Sequence, residues 1–214
     1  MAEDTQPNPT EDRGRPVVAS TFVTLDGYMV GPDEDMSWVI DGFDPEMQND
    51  VAEAMSRDTD TFVFGRVTYE IFAAYWPDAV PYDEGDEVNP AEGKEDPRII
   101  RALNDFPKLV FSKTLKRSEW GNTRIAEDGL EDEIRRLKRQ PGKTINIQGS
   151  ASIIQALARA DLIDEYRLYV HPVLLGNGKR LFSNGGERQN FEPTSVKQYA
   201  NGVVAVNFKR KVVA

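Results

Sequence analysis

Two short segments of this chain have residue types and spacing that suit the binding of an anionic ligand. Residues 61–70 (TFVFGRVTYE) and 145–154 (INIQGSASII) each predict a buried strand that enters a helix through a glycine. The glycine allows a sharp turn and the close approach of a ligand to the backbone. Because the first N–H groups of a helix lack intrahelical acceptors and favour negative charge, each junction predicts a phosphate-binding site.

Cations and hydroxyl groups lie beside these junctions. Arg66 directly follows Gly65 in the first helical turn, where the helix dipole disfavours a cation unless an anion pairs with it. The alternative is a surface arginine that hydrogen-bonds elsewhere. Ser112, Lys113 and Thr114 follow a separate predicted strand and would supply a second cation with two hydroxyl donors. Several phosphates indicate a dinucleotide. Because an NAD site usually offers an acid to the ribose, a cation with hydroxyls favours NADPH over NADH.

The second junction consists of Gly149, Ser150, Ala151, Ser152 and Ile153. These mostly small residues would let a pyrophosphate approach the backbone, although the full G-x-G-x-x-G pattern is absent. The alternative interpretation is that the glycine serves only tight packing of strand against helix.

Other residues that could take part in chemistry lie in turns and loops. Trp38 occupies an apparent loop over 36–40 and would either fill the core or stack on a flat ligand. Asp26 and Asp44 are turn carboxylates that would either take part in proton transfer or serve only as caps or Asx-turns. His171 lies inside a predicted strand and is interpreted as a packed or hydrogen-bonded structural residue.

Composition excludes several classes of function. The chain has 214 residues and a formal net charge of −10, which argues against nucleic acid as a partner. It has no cysteine and one histidine, so disulfides, thiolate catalysis and cysteine zinc sites are excluded, and we predict no metal site. No apolar run approaches the ~20 residues that span a membrane, and the acidic start is unlike a signal peptide. We expect a cytoplasmic protein.

The order of predicted elements indicates the fold class. We expect a disordered tail over 1–15, then a single domain over 16–214 with an acidic loop insertion over 78–98. The patterns predict strands over 16–24, 61–64, 108–112, 144–148, 164–172, 195–199 and 203–211, and helices over 44–57, 66–75, 130–139 and 150–160. Asn201 and Gly202 predict a hairpin between the last two strands. The result is an α/β fold with a mostly parallel sheet and an antiparallel edge.

Four motifs carry a resemblance to a known family. Residues 22–31 (FVTLDGYMVG), 64–70 (FGRVTYE), 110–114 (VFSKT) and 148–150 (QGS) together resemble the dihydrofolate reductase superfamily. Residues 161–182 are similar to the reductase domain of the bacterial bifunctional riboflavin-biosynthesis protein, and the resemblance spans 16–210. It implies a three-layer α/β/α fold with a mostly parallel mixed central sheet and a C-terminal antiparallel hairpin. It also implies NADPH, a small-molecule substrate and a homodimer that pairs through a sheet edge. Because the cysteines of that protein's zinc-dependent deaminase domain are missing here, we expect a stand-alone reductase-like protein without it.

The resemblance implies roles for the candidate residues. Gly65, Arg66 and Thr68 would bind cofactor phosphates, with Arg66 on the 2′-phosphate side. Residues 112–114 would hold the adenosine ribose phosphate, residues 149–154 would surround the pyrophosphate, and Trp38 would lie near the nicotinamide.

Two departures from the family concern the substrate. Dihydrofolate reductases carry a carboxylate five residues after the loop tryptophan, where this chain has Phe43, with Asp44 one place later. The riboflavin-pathway reductases usually have a glutamate before the pyrophosphate glycine, where this chain has Gln148.

The prediction is therefore an NADPH-dependent reductase that transfers a hydride to a small heterocyclic or sugar-linked substrate. It would be related to 5-amino-6-(5-phosphoribosylamino)uracil reductase. One alternative is a non-catalytic nucleotide-binding protein that has lost the substrate site, and another is a protein whose glycines are purely structural.

Overall fold

The structure is a computed structural model that describes residues 14–42, 44–83, 93–182 and 187–211. The strands in these ranges are β1 (Val17–Thr24), β2 (Tyr28–Val30), β3 (Thr59–Gly65), β4 (Val80–Pro81), β5 (Lys94–Glu95), β6 (Lys108–Phe111), β7 (Thr123–Ile125), β8 (Thr144–Ile147), β9 (Glu165–His171), β10 (Lys179–Arg180), β11 (Phe191–Gln198) and β12 (Val204–Arg210). The helices are α1 (Ser37–Asp41), α2 (Pro45–Glu53), α3 (Arg66–Tyr75), α4 (Pro97–Asp105), α5 (Leu130–Lys138) and α6 (Ala151–Arg159).

Eight strands form one sheet in the order β11-β12-β9-β1-β8-β3-β6-β7. The pairs from β9 to β7 are parallel, whereas β12 pairs antiparallel with both β9 and β11. The short strands form two further pairs, β2 with β10 and β4 with β5. The predicted mixed sheet with a C-terminal antiparallel hairpin is confirmed.

Helices cover both faces of the sheet because successive strand residues point to opposite sides. On β3, Val63 belongs to the core cluster that contains Ile134 of α5 and Ile154 of α6. Its neighbours Phe62 and Phe64 belong to a second cluster with residues of α2, α3 and α4. The molecule therefore has the three layers that the resemblance implied.

The N-terminus of α2 follows the sequence prediction. Asp44 is the N-cap, its carboxylate accepts from the Met47 N–H at 3.0 Å, and Pro45 takes the first helical position. Residues 54–58 continue α2 as a π-helical turn.

Several elements differ from the sequence prediction. The predicted loop around Trp38 contains the helix α1, and α4 begins at the end of the predicted acidic loop. Residues 84–92 of that loop lie outside the described residues. Strand β11 begins at Phe191, earlier than predicted. Its first residues were missed because β11 is an exposed edge strand, which lacks the alternation of apolar and polar residues that marks a half-buried strand.

The predicted boundary between tail and domain is also different. Residues 1–13 lie outside the described residues, but Arg15, which the prediction placed in the tail, has a buried side chain. Its guanidinium donates to the Lys143 carbonyl and the Thr61 hydroxyl, both at 2.9 Å, and pairs with Asp60. The packed chain therefore begins before Pro16.

Among the helices in the described ranges, none combines the length and the apolar character needed to cross a membrane.

Candidate functional site

The two glycine junctions meet at the centre of the sheet. Strands β3 and β8 are parallel neighbours, and the helices that follow them, α3 and α6, pack on opposite faces. Parallel strands whose following helices diverge in this way open a crevice at their carboxyl ends, which is where ligands bind in open α/β sheets. Gly65 ends β3, and a Cβ placed on it would lie 2.5 Å from the Ser150 hydroxyl oxygen at the end of the other junction. A methyl group at position 65 would therefore displace the Ser150 side chain.

Both helices begin at this crevice without a side-chain cap. The N-cap of α3 is Gly65 and that of α6 is Ser150, and neither provides a side-chain acceptor for the first turn. The Ser150 hydroxyl instead lies 2.9 Å from the Ser152 hydroxyl. Gly149 has a left-handed φ of 66°, which favours glycine, and the peptide bond that follows it is cis. Two helix N-termini therefore point their partial positive charge at one crevice.

The crevice forms a cleft of about 580 Å³, which we call the basic cleft. It collects most of the residues that the sequence predicted for a cofactor: Gly65, Arg66, Ser112, Lys113, Thr114, Ser150, Ala151, Ser152 and Ile153. It is also lined by Val67, Phe111, Gln155, Lys179 and Arg180. Residues from three separate predicted segments thus line one cavity.

The charges that line the basic cleft are all positive. Arg66 is paired with Glu70 at 2.7 Å, Lys179 with Glu34, and the Arg180 guanidinium lies 4.5 Å from the centre of the Tyr28 ring. Each of these cations therefore already has a partner within the protein.

Lys113 differs from these cations. It is exposed and forms no ion pair with any residue in the described part of the chain. The Ser112 hydroxyl oxygen accepts from the N–H groups of Thr114 at 3.1 Å and Leu115 at 2.9 Å, which fixes the turn that carries Lys113. A positively charged side chain that is not ion-paired with any described residue thus lies at the rim of the basic cleft.

A second cavity of about 310 Å³ adjoins the basic cleft, and we call it the apolar pocket. The two cavities share Val67, Ser150, Ala151 and Lys179 in their walls. Three further residues from the prediction line the apolar pocket: Thr68, Gln148 and Gly149. Its other walls come mainly from apolar side chains of β1, β2, α1, the α2 region and α3.

An ion pair lies at the border between the two cavities. Lys179 on β10 pairs with Glu34, which follows Asp33 in a 3-10 turn. The φ angles of Asp33 and Glu34 are 55° and 61°, in the left-handed region that is costly for residues other than glycine. The position of Glu34 is therefore determined by its surroundings rather than by local backbone preference.

Three predicted residues lie outside both cavities. Trp38 is buried, with its ring against His171 at a centroid distance of 4.9 Å, and it fills the core instead of lining a ligand site. Asp44 is a helix cap, as described above. Asp26 binds the Thr24 hydroxyl at 2.6 Å and the Gly176 N–H at 2.7 Å.

Asp26 therefore has a structural role in the turn between β1 and β2. The hydrogen bond from Thr24 and those from the backbone of Gly176 and Leu175 lower the pKa of this carboxyl. It is ionised at neutral pH, and it does not line the apolar pocket.

Sequence reasoning missed Lys179 and Arg180 as residues of the cleft. They belong to β10, which pairs with β2 and so crosses from the C-terminal half of the chain to the cleft. The signal available was the glycine-rich loop over 175–179, which indicates a turn but not the strand with which the following residues pair.

The three-layer fold and its sheet define the class of dihydrofolate reductase-like proteins. The sequence-family model of the RibD C-terminal domain matches residues 15–205. The chain therefore belongs to the RibD C-terminal domain family.

Two similar proteins of Bacillus subtilis (strain 168) bear names that assign no function. The uncharacterized protein YyaP is 32% identical over 193 residues, which cover 90% of this chain and 93% of YyaP. The uncharacterized protein YwjB is 26% identical over 189 residues, which cover 88% of this chain and 95% of YwjB. Both are thus similar to this chain over most of their own length.

Solved structures support the fold. A protein from Shewanella sp. PV-4 whose name links it to riboflavin biosynthesis has a TM-score of 0.71 at 21% identity and covers 92% of this chain and 99% of its own. The Thermotoga maritima diaminohydroxyphosphoribosylaminopyrimidine deaminase/5-amino-6-(5-phosphoribosylamino)uracil reductase has a TM-score of 0.64 at 16% identity. The match covers 94% of this chain and 58% of the Thermotoga chain.

Proposed function

We propose that this protein is an NADPH-dependent reductase that acts on a small heterocyclic or sugar-linked compound. The observation that carries the proposal is the meeting of two uncapped helix N-termini in one basic cleft that adjoins a second, apolar pocket. The family is related to reductases, and the Thermotoga relative is named for the reduction of a uracil derivative.

The residues present fit an NADPH molecule. The turn over 149–153 and the N-terminus of α6 would hold the pyrophosphate, because a helix N-terminus with small residues allows close approach of a phosphate. Arg66 and Lys113 would flank the 2′-phosphate, with Ser112 and Thr114 as hydroxyl donors. The cleft has a lining of cations and no carboxylate among the described residues, as a ligand with several phosphates requires.

The apolar pocket would hold the compound to be reduced. NADPH supplies a hydride when it is bound, so the protein's task is to orient the two molecules and to exclude water from their contact. The shared wall of Val67, Ser150 and Ala151 brings ligands in the two cavities next to each other. Since Asp26 and Asp44 lie outside the pocket, we propose that water at the pocket entrance supplies the proton.

A specific observation favours a second candidate, a non-catalytic nucleotide-binding protein. The charged residues that line the apolar pocket in the described structure are Glu34 and Lys179, which neutralise each other. A pocket without an unpaired acid or base binds a ligand without contributing a side chain to proton transfer.

NADPH oxidation separates the two candidates. Purified protein is mixed with NADPH and a panel of pteridines, flavin precursors and carbonyl compounds, and the loss of the reduced nicotinamide absorbance is followed. The reductase predicts oxidation that depends on at least one added compound and is weakened by Arg66→Ala. Binding of NADPH without turnover of any compound supports the non-catalytic alternative. If Arg66→Ala and Lys113→Ala change no ligand response, the glycine junctions are only structural.

Two further parts of the proposal concern the whole protein. We propose a homodimer in the cytoplasm that pairs through a sheet edge, as the family resemblance implies. Support comes from β11, an eight-residue edge strand on which Val196 is 66% exposed. Light scattering tests this part: the expected mass is twice the 24.1 kDa of one chain, and a mass of one chain contradicts it.

A further inference from the structure

The apolar pocket has a composition unlike that of the basic cleft beside it. Its walls include the aromatic rings of Phe22, Phe72 and Tyr169 and the side chains of Met29, Met36 and Met55. Methionine side chains are flexible and polarisable, and they pack well against flat rings of different shape. A volume of about 310 Å³ lies at the lower end of the range for small-molecule sites, about 300–1,000 Å³.

Charge separates the ligands that this pocket can accept from those that it rejects. Glu34 and Lys179 are the charged residues in its described lining, and they form an ion pair with each other. A phosphate group placed in the pocket would lose its hydration without gaining a free cation, which is costly. Lys113, which has no ion pair within the described ranges, lines the basic cleft and not the apolar pocket.

The polar side chains of the pocket are mostly neutral. Ser20 and Thr68 contribute hydroxyl groups that form no hydrogen bond with any residue in the described ranges, and both are only partly buried. The Gln148 side-chain N–H donates over a long 3.4 Å to the Asn146 side-chain oxygen, Oδ1, and otherwise the Gln148 amide is available. Neutral donors and acceptors of this kind suit a carbonyl or an amide group on a ligand.

We infer that the apolar pocket binds an uncharged, mainly apolar ring that carries one carbonyl-type polar group, and not a phosphorylated sugar. This inference rests on the proposed function in that it names the substrate class of the same reductase site. It narrows the proposed substrates to ring compounds and sets this chain apart from the phosphoribosyl compound for which the Thermotoga relative is named.

A fluorescent probe tests the inference without any turnover. The probe is 6-propionyl-2-(dimethylamino)naphthalene, an uncharged aromatic ketone whose emission moves to shorter wavelength in apolar surroundings. It is titrated into the full chain, with uridine 5′-monophosphate as the competing phosphorylated pyrimidine. We expect a saturable blue-shifted signal that an excess of the nucleotide leaves in place.

Two matched variants test whether the probe binds in the apolar pocket: Met36 directly precedes α1, and Ile40 lies within it. Met36 lines the pocket and is 40% exposed, so Met36→Glu places a charge there with little risk to folding. Ile40 is 69% exposed and lies outside the pocket lining, so Ile40→Glu is the control. We expect Met36→Glu to weaken probe binding about tenfold, because a carboxylate resists burial beside an apolar ring, and Ile40→Glu to leave it unchanged. Thermal unfolding of both variants verifies the fold.

Separate results overturn the inference and the proposed function. The inference fails if uridine 5′-monophosphate displaces the probe, if probe binding does not saturate, or if Met36→Glu and Ile40→Glu behave alike. NADPH binding, measured by thermal shift on the same samples, tests the proposed function independently. If Met36→Glu weakens probe binding but NADPH causes no thermal shift, the inferred ligand class of the pocket stands and the proposed reductase function is rejected.

Discussion

His171, the one histidine of the chain, is enclosed by aromatic side chains. Its ring centre lies 5.6 Å from that of Phe22 and 4.9 Å from that of Trp38, and the residue is 1% exposed. Its Nε2 atom has no hydrogen-bond partner among the described residues. Burial lowers the pKa of this imidazole below its ordinary value of 6.5, because an apolar site disfavours the charged form.

The lowered pKa of His171 predicts a pH dependence of stability. As pH falls below about 6.5 the unfolded chain takes up a proton at this residue, whereas the folded chain does so only at lower pH. The free energy of unfolding should therefore fall as pH drops from about 6.5 through the folded pKa. Urea unfolding of wild type and His171→Phe at pH 8 and pH 5.5 checks this expectation: the wild type should lose more stability than the variant.

Because the sequence has a single histidine, proton NMR reports its pKa directly. The titration of the imidazole C–H resonance should give a midpoint below 6.5. A midpoint at or above 6.5, or equal pH dependence of the two proteins, would show that His171 is hydrated or paired in solution.

At the scale of residues, the sequence predicted which strand ends meet at one cleft better than it predicted the surroundings of single side chains. Arg66 and Lys113 could be placed because each directly follows a strand end, and strand ends converge at one edge of a parallel sheet. The burial of Trp38 could not be predicted, since it depends on contact with His171, which lies 133 positions away along the chain.

At the scale of elements, the packing of β3–α3 against β8–α6 depends on Gly65. Its φ of −80° is accessible to alanine, so Gly65→Ala would not strain the backbone. The new methyl group would instead lie 2.5 Å from the Ser150 hydroxyl oxygen and 3.2 Å from its Cβ. We expect Gly65→Ala to push the two junctions apart and to weaken NADP⁺ binding about tenfold or more, as measured by calorimetry.

Removing the Ser150 side chain should restore the NADP⁺ binding that Gly65→Ala weakens. Ser150→Gly deletes both atoms that the new methyl group would meet, so the double variant should bind NADP⁺ more tightly than Gly65→Ala alone. Gly121→Ala is the matched control, because a Cβ there meets nothing within 4 Å. Additive effects of the two substitutions would contradict direct contact between the junctions.

Glu133 joins α5 to β7 at the far side of the sheet. Its fully buried carboxylate accepts from Arg124 at 2.7 and 2.8 Å and from Arg136 at 2.5 Å. The hydrogen bonds from Arg124 are the largest cause, and together with the charge of Arg136 they lower the pKa of Glu133 to about 2.

Glu133→Gln should therefore destabilise the protein by about 1.5–3 kcal/mol, the range for hydrogen bonds to charged groups. Glu131→Gln, on the exposed face of the same helix, should cost less than about 0.5 kcal/mol. The Glu133 contribution should be complete above about pH 4.3 and be lost as pH falls through about 2. Urea unfolding at pH 7 and pH 3 measures this. Equal stability of the two variants at pH 7 would contradict the role of Glu133.

The sequence prediction missed helix α4 and strand β7, each for a different local reason. Helix α4 has an Asp96 N-cap and Pro97 in its first turn, and it buries Ile99, Ala102 and Leu103 at helical spacing. Its start overlaps the acid-rich segment over 78–98, so the composition indicated a loop. Strand β7 has three residues, too few for a period-two pattern to be recognised.

At the scale of the whole molecule, the order of the strands creates the site. Strand β8 lies between β1 and β3 although it follows both along the chain, and this position brings the second glycine junction beside the first. Neither hydrophobic periodicity nor turn signals determine which strands become neighbours. The sequence therefore predicted the strand-end segments that line the crevice, whereas the division into a basic cleft and an apolar pocket required the three-dimensional structure.

The central claim is that the basic cleft binds NADPH through its 2′-phosphate, with Lys113, which has no ion pair with the described residues, as the cation that binds this phosphate. Its most direct test is a calorimetric titration of NADPH and NADH into wild type, Lys113→Ala and Lys116→Ala, an exposed neighbour outside the cleft lining. We predict one NADPH per chain, weaker binding of NADH, and a loss of about 10–100-fold for NADPH alone in Lys113→Ala. Lys116→Ala should match wild type. Equal affinity for the two cofactors, or no binding of either, would contradict the account.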